Sequence, residues 1–184
     1  MDNTLTYRTP ARLLHWIMAV LVLAMIAAGF IMIRDGLDRS VQNALFIFHK
    51  NVGILVLALG LVRLAYRWRH PAPPLPAQVP DWQARAAHAS HVALYGLLIA
   101  MPVAGYIRVK AGGFPIESLD ALGVPALVPN SENLAEVAKQ IHYLAALALC
   151  FVAGVHILAG LHHLLVRRDG VFSRIWPPVR ARGR

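Results

Sequence analysis

Long apolar stretches separated by shorter polar segments are the dominant pattern along this chain. Four stretches are nearly free of charged side chains, and they cover residues 13–33, 45–66, 88–107 and 141–166. Each has about 20 residues or more, which is the length that an α-helix needs to cross a hydrocarbon core of about 30 Å. The pattern predicts an all-α fold, an integral membrane four-helix bundle in which residues 1–184 form a single transmembrane domain.

The composition supports a membrane protein and excludes an ordinary soluble domain. Hydrophobic residues make up 58% of the chain and charged residues 15%, whereas charged residues are about a quarter of a typical soluble domain. The lipid bilayer is therefore the first partner that the sequence predicts.

The charged residues are divided unequally between the two sides of the predicted bundle. With four spans, the two termini and the central loop share one side, which carries twelve arginines and three aspartates, while the other side carries six cations and six carboxylates. By the positive-inside rule the first side, with both termini, is cytoplasmic. The net charge of +9 is then explained by membrane topology, and no nucleic-acid partner is needed to account for it.

Histidines occupy related positions in three of the four stretches. His142 and His156 are fourteen residues apart, a spacing that brings both imidazoles within about 40° on one helix face and separates them by about 21 Å along it. His15 and His49 lie near the starts of the first and second stretches. Because a metal-binding side chain at bilayer depth is costly, such residues indicate function.

Chain direction limits how these four histidines can pair. His49 and His142 each follow an outer loop, so they are predicted to share an outer site, and His15 and His156 are predicted to share an inner one. Two neutral imidazoles are a common axial ligand set for electron-transferring haem iron. The sequence has no Cys-x-x-Cys-His motif, so we expect two haem b groups without thioether links.

Two alternatives to this assignment stay open. His88 and His91, near the inner surface, are alternative inner ligands, because His156 is predicted to lie deeper in the membrane than His15. For any single membrane histidine, an interhelical hydrogen bond is the simpler role.

Further candidates lie at the membrane surfaces. His163 follows His156 by seven residues and shares its helix face, so with His162 it is predicted to deliver protons to a reduced quinone, although a solvated helix end is the alternative. Haem propionates need cations, and ordinary snorkelling is the alternative role for each candidate. These candidates are Arg12 inside and Lys50, Arg108 and Lys110 outside.

Several of these elements together resemble the bacterial cytochrome b561 family over nearly the whole chain. They are His15-Trp16, His49, His142, His156, and His162-His163 followed by Arg168-Asp169-Gly170. The resemblance implies a four-helix, two-haem protein of the bacterial inner membrane, with ligands at the first four histidines. One activity characterised in this family is superoxide oxidase, in which electrons from periplasmic superoxide reach ubiquinone, and His163 or His162 would then contact the quinone.

The sequence is compatible with three functions. The favoured one is a superoxide:ubiquinone oxidoreductase, whose outer face, neutral in sum, would need a local patch of cations to steer superoxide. The second is a quinone-linked cytochrome b subunit that exchanges electrons with a periplasmic redox protein. The third is a non-redox, His-lined membrane protein that binds a metal or serves as a scaffold. The candidate steering patch consists of Lys50, Arg108, Lys110 and Lys139.

The charge distribution gives a testable topology. A reporter that is active only in the cytoplasm should work when it is fused after Arg184 and should fail when it is inserted near Glu117, because the side rich in arginine stays inside. Reporter activity in whole cells measures this. The reverse pattern would invert the orientation of both predicted haem sites.

Overall fold

The computed structural model describes residues 6–177, and the regular secondary structure of that range is all helical, without a β-strand. Both termini, and with them the predicted cytoplasmic placement, lie outside the described residues. Four helices are long and apolar enough to cross a membrane, which confirms the predicted class. The helices are α1 (Thr9–Ile31), α2 (Arg39–Arg69), α3 (Asp81–Ala111), α4 (Glu117–Ala121) and α5 (Glu132–His162), followed by a π-helical turn (His163–Arg167) and a 3-10 turn (Phe172–Arg174).

All four long helices begin before the apolar stretches that predicted them. At the start of α2, Asp38 accepts hydrogen bonds from the backbone N–H groups of Ser40 (2.8 Å) and Val41 (3.4 Å). At the start of α5, Ser131 Oγ accepts one from the Leu134 N–H (3.3 Å). Such caps satisfy backbone donors at a helix start. The helices therefore extend into the membrane interface, where their residues are no longer predominantly apolar.

Antiparallel packing of α1 on α2 depends on small residues. Met18 and Met25 of α1 approach Gly60 and Gly53 of α2, and each methionine Cε lies 3.6 Å from where a glycine Cβ would be. Small residues let helices approach closely in a membrane, where helix association has little hydrophobic driving force. The remaining neighbours are α2 with α3 and α3 with α5, whereas the backbone of α5 stays farther from α1 and α2.

The outward surface of the four long helices is apolar. Large side chains such as Phe151 (73% exposed) and Val20 (65%) face away from the bundle. Since the hydrocarbon interior of a bilayer requires an apolar surface and internally satisfied backbone groups, this surface is the one that lipid tails cover.

The short helix α4 closes one end of the bundle, which we call the outer end. Lys50 of α2 donates to the Pro115 carbonyl and to Glu117, both at 2.7 Å. Asn51 donates to Glu117 and accepts from the Ser118 N–H, again at 2.7 Å. These bonds anchor α4 over the N-terminal part of α2.

At the opposite end, which we call the inner end, the segment after α5 folds back against α1. Trp16 Nε1 donates to the Ile175 carbonyl (3.0 Å), and the Tyr7 N–H donates to the Arg174 carbonyl (3.1 Å). The Arg174 guanidinium also lies 5.6 Å from the centre of the Tyr7 ring. The start of α1 and the described end of the chain therefore pack together.

Candidate functional site

The outer end brings together two of the predicted histidines. The ring centres of His49 on α2 and His142 on α5 are 6.1 Å apart, and the ring planes are inclined at 75°. His142 Nδ1 lies 2.9 Å from the Met101 carbonyl oxygen. Because a carbonyl only accepts, Nδ1 carries the proton, and the lone pair of Nε2 is left for a metal.

Each outer imidazole lies against a glycine that the sequence reasoning missed. A Cβ at Gly29 of α1 would lie 3.2 Å from His49 Cε1, and a Cβ at Gly105 of α3 would lie 3.1 Å from both His142 Cε1 and Nδ1. Both distances are tighter than ordinary van der Waals contact. The glycines therefore provide the space in which the two rings sit, and nothing in the sequence distinguishes them from other helix glycines.

The inner end brings together the other predicted pair and one of the alternatives. The ring centres of His15 on α1 and His156 on α5 are 6.2 Å apart, with planes inclined at 74°. His91 of α3 is closer to His156, at 5.3 Å. Arg63 of α2, which the sequence reasoning also missed, donates to the Ala11 carbonyl (2.8 Å) and places Nη2 3.4 Å from His15 Nδ1.

The spacing of the two predicted pairs fits a metal between them. A metal–imidazole bond of about 2 Å, with the ring centre about 1 Å beyond the nitrogen, places the centres of two opposed rings about 6 Å apart. The outer and inner pairs match this distance, whereas His91 and His156 lie closer together. Within residues 6–177, His88 makes no ring contact with any member of these pairs.

Beyond the inner pair, His163 forms a short hydrogen bond with a residue that the sequence reasoning did not assign. Its Nδ1 lies 2.6 Å from Asp169 Oδ2, and the two side chains are 14% and 6% exposed. Partial burial acts to raise the pKa of Asp169, but hydrogen bonds from His163 and the Val171 N–H outweigh it and lower the pKa below its usual range. Asp169 is thus an ionised partner that orients this imidazole. The other member of the predicted catalytic pair, His162, is exposed.

The backbone after α5 makes this contact possible. The helix widens into the π-helical turn at His163, and the Arg168 N–H donates to the His163 carbonyl (2.8 Å). Arg168 then adopts the left-handed conformation, with φ of 51°, which is uncommon for a residue other than glycine. The chain reverses there, so Asp169 reaches back to the ring six positions earlier.

The candidate cations differ in what they contact. Arg12 is 2% exposed, and its Nη2 donates to Thr9 Oγ1 (3.2 Å). At the outer end, three lysines are paired with carboxylates, whereas Arg108 makes no ion pair with any described residue. Those outer pairs are Lys50 with Glu117, Lys110 with Asp120, and Lys139 with Glu136.

The Lys50–Glu117 pair holds its carboxylate ionised. Partial burial acts to raise the pKa of Glu117, but hydrogen bonds from Lys50 and Asn51 lower it below its usual range. The charge of Lys50 is therefore compensated within the protein, and of the predicted steering patch only Arg108 has no carboxylate of residues 6–177 within ion-pair distance.

Comparison with known proteins agrees with this geometry. A family model described as prokaryotic cytochrome b561 matches residues 6–178. The chain belongs to the prokaryotic cytochrome b561 family. This confirms the resemblance inferred from the histidine pattern.

Several curated members of the b561 family align over most of their length. The probable superoxide oxidase CybB of Yersinia pestis is 33% identical over 171 residues, which cover 91% of this chain and 93% of the relative. Cytochrome b561 homolog 2 of Escherichia coli (strain K12) is 31% identical over 166 residues, covering 88% and 86%. Cytochrome b561 homolog 1 of the same organism is 30% identical, covering 89% and 93%.

Family membership makes this a multi-pass membrane protein of electron transfer that binds haem b. The donor set of the site fits that group, because pairs of imidazoles at metal spacing would suit haem iron. The glycines beside His49 and His142 leave the rings unobstructed.

The glycine contact can be tested within α3. Gly105→Val should lower the haem-to-protein ratio, since its added carbons would displace His142, whereas Gly96→Val should not, because nothing lies within 4 Å of a Cβ at Gly96. The pyridine haemochrome assay on purified protein measures the ratio. Equal haem content in the two variants would show that the space beside His142 is unimportant.

Proposed function

We propose that this cytochrome b561 transfers electrons across the bacterial inner membrane, from superoxide on the periplasmic side to ubiquinone on the cytoplasmic side. The balanced reaction converts two superoxide anions, one ubiquinone and two protons into two molecules of oxygen and one ubiquinol. The observation that carries the proposal is one histidine pair at metal spacing at each end of the bundle, with a hydrogen-bonded His163 beyond the inner pair. The relative named probable superoxide oxidase supports the choice of donor.

In this proposal the chain holds two haem b groups. His49 and His142 are the outer ligands, and His15 and His156 are the inner ligands. Haem bound at each end supplies a one-electron carrier. The Met101 carbonyl fixes the orientation of His142.

Cations would neutralise the haem propionates. Arg12 is the inner candidate, because its guanidinium lies near the start of α1 at the inner end, and a guanidinium matches a carboxylate in shape and charge. Lys50 and Lys110 already contact carboxylates, so Arg108 is the outer cation best suited to bind a propionate or to attract a small anion.

His163 is the proposed proton donor to the quinone. Asp169 holds Nδ1, which leaves Nε2 to carry a proton toward a quinone oxygen. The ring of His162 lies 6.0 Å away, and its exposure allows it to return protons from water to His163. Asp169 is a positioning residue in this scheme.

One observation favours a second candidate, a quinone-linked electron-transfer subunit with a periplasmic redox partner. The loop around α4 exposes large apolar side chains, among them Phe114, Leu122 and Leu127. Exposed apolar patches commonly mark interfaces with proteins or membranes. A small diffusing anion would need no such surface.

Haem content tests the ligand assignment. His49→Ala should lose only the outer haem, and a variant with both His142→Ala and His156→Ala should retain almost none, because α5 serves both sites. His91→Ala is the matched control and should keep two haems per chain. Two haems in the double variant would overturn the assignment, and loss of the inner haem in the His91 variant would make His91 the ligand.

Stopped-flow absorbance tests the electron donor and the quinone site together. Superoxide should reduce the purified protein rapidly without any partner protein, both in the parent and in a variant with His162→Ala and His163→Ala. Reoxidation by added ubiquinone should slow in the variant by about 100-fold if general acid catalysis is lost. No reduction by superoxide in the parent would favour the second candidate, and reoxidation at the parental rate would exclude both histidines from the proton route.

In the same assay, Asp169→Asn examines the charge beside His163. The rate of ubiquinone reduction should fall, because a neutral amide holds the His163 imidazole less firmly than an ionised carboxylate does. Asp169→Glu should restore part of the parental rate. The other charged or titratable groups nearby, Arg167 at 4.0 Å from Asp169 Oδ2, Arg168 and His162, are unchanged in both variants.

A further inference from the structure

Arg8 and three arginines near the end of α2 share the inner end of the bundle, and none of these four forms an ion pair with a carboxylate of residues 6–177. These three are Arg63, Arg67 and Arg69. Arg63 and Arg67 are partly buried, and Arg8 and Arg69 are exposed. Together they concentrate positive charge at the inner end, which favours an anionic ligand.

A groove of about 600 Å³ lies among these residues, between the start of α1, the end of α2 and the proline-rich linker. Arg8, Arg12 and Arg69 line it, together with His70. A smaller cavity of about 20 Å³ shares His70 and adds Arg63 and Arg67. No described residue that lines either cavity is an aspartate or a glutamate.

The wall of the groove is ordered by aromatic contacts. The rings of Tyr66 and His70 stack with centres 4.3 Å apart and planes inclined at 22°, and His70 Nδ1 lies 3.1 Å from the Tyr66 carbonyl oxygen. Trp68, which lies between Tyr66 and His70 in the sequence, is 85% exposed. A tryptophan in this position at the end of a transmembrane helix is typical of the membrane interface, so the groove lies at headgroup depth.

We propose that this groove binds an acidic phosphate ester, the phosphodiester headgroup of an anionic phospholipid. Guanidinium groups present paired donors that match phosphate oxygens, and basic pockets on the cytoplasmic side of transmembrane helices bind acidic headgroups. Neither His15 nor His156 lines the groove, and Arg12, the proposed cation for an inner propionate, is the residue that the two sites share. The site is independent of the identity of the electron donor.

Binding of a short-chain phosphatidylglycerol to the haem-loaded, detergent-solubilised full chain tests the proposal. Phosphatidylcholine of the same chain length and inorganic phosphate are the comparison ligands, and tryptophan fluorescence is the readout. Phosphatidylglycerol should bind more tightly than both. A variant with Arg8→Gln and Arg69→Gln should bind it about 30-fold more weakly, because each of the two arginines near the membrane surface contributes to the binding of an anionic lipid.

The matched control is a variant with Arg34→Gln and Arg39→Gln, which removes two exposed arginines from the outer end. It should keep parental affinity, and both variants should keep parental haem content, which shows that they fold. Equal affinity for phosphatidylglycerol and phosphatidylcholine, or equal weakening in the two variants, would overturn the site. Binding of inorganic phosphate as tight as that of the lipid would keep a phosphate site but overturn the lipid as its ligand.

Discussion

The packing of the bundle depends on one constraint. At each end, a histidine of α5 faces a histidine of another helix. His142 meets His49 of α2, and His156 meets His15 of α1, at 6.1 and 6.2 Å between ring centres. Two helices that are held apart by facing imidazole rings cannot also bring their backbones into close contact. For that reason α5 lies closely along α3, while α1 and α2 are held in place by their own small-residue contacts.

The two ends surround their imidazoles in different ways. At the outer end, each ring has a glycine of a neighbouring helix beside it, Gly29 for His49 and Gly105 for His142. At the inner end, Arg63 lies beside His15 and His91 lies beside His156. The outer rings are therefore bordered by glycines, and the inner rings by larger polar side chains.

The sequence was sufficient for the helices, and chain direction predicted which histidines of different helices come near each other, but not that His91 lies closer to His156 than His15 does. Four apolar stretches fix four antiparallel helices, and a fourteen-residue spacing on one helix leaves few partners for each imidazole. The role of Gly105 could not be found in this way, since it depends on the register between α3 and α5. The contact of Asp169 with His163 could not be predicted for a different reason. It depends on the π-helical turn and on the left-handed conformation of Arg168, which reverse the chain and bring Asp169 back to the ring.

The contact between Trp16 and the Ile175 carbonyl has a consequence for the order in which the protein is built. All four histidines of the two pairs precede the π-helical turn, so both metal-spaced pairs are complete once α5 is in the membrane. The residues that orient His163 and cover the start of α1 are synthesised afterwards, and they pack against a helix made at the beginning. Both histidine pairs are therefore complete before the segment that contacts His163 and covers the start of α1 has been made.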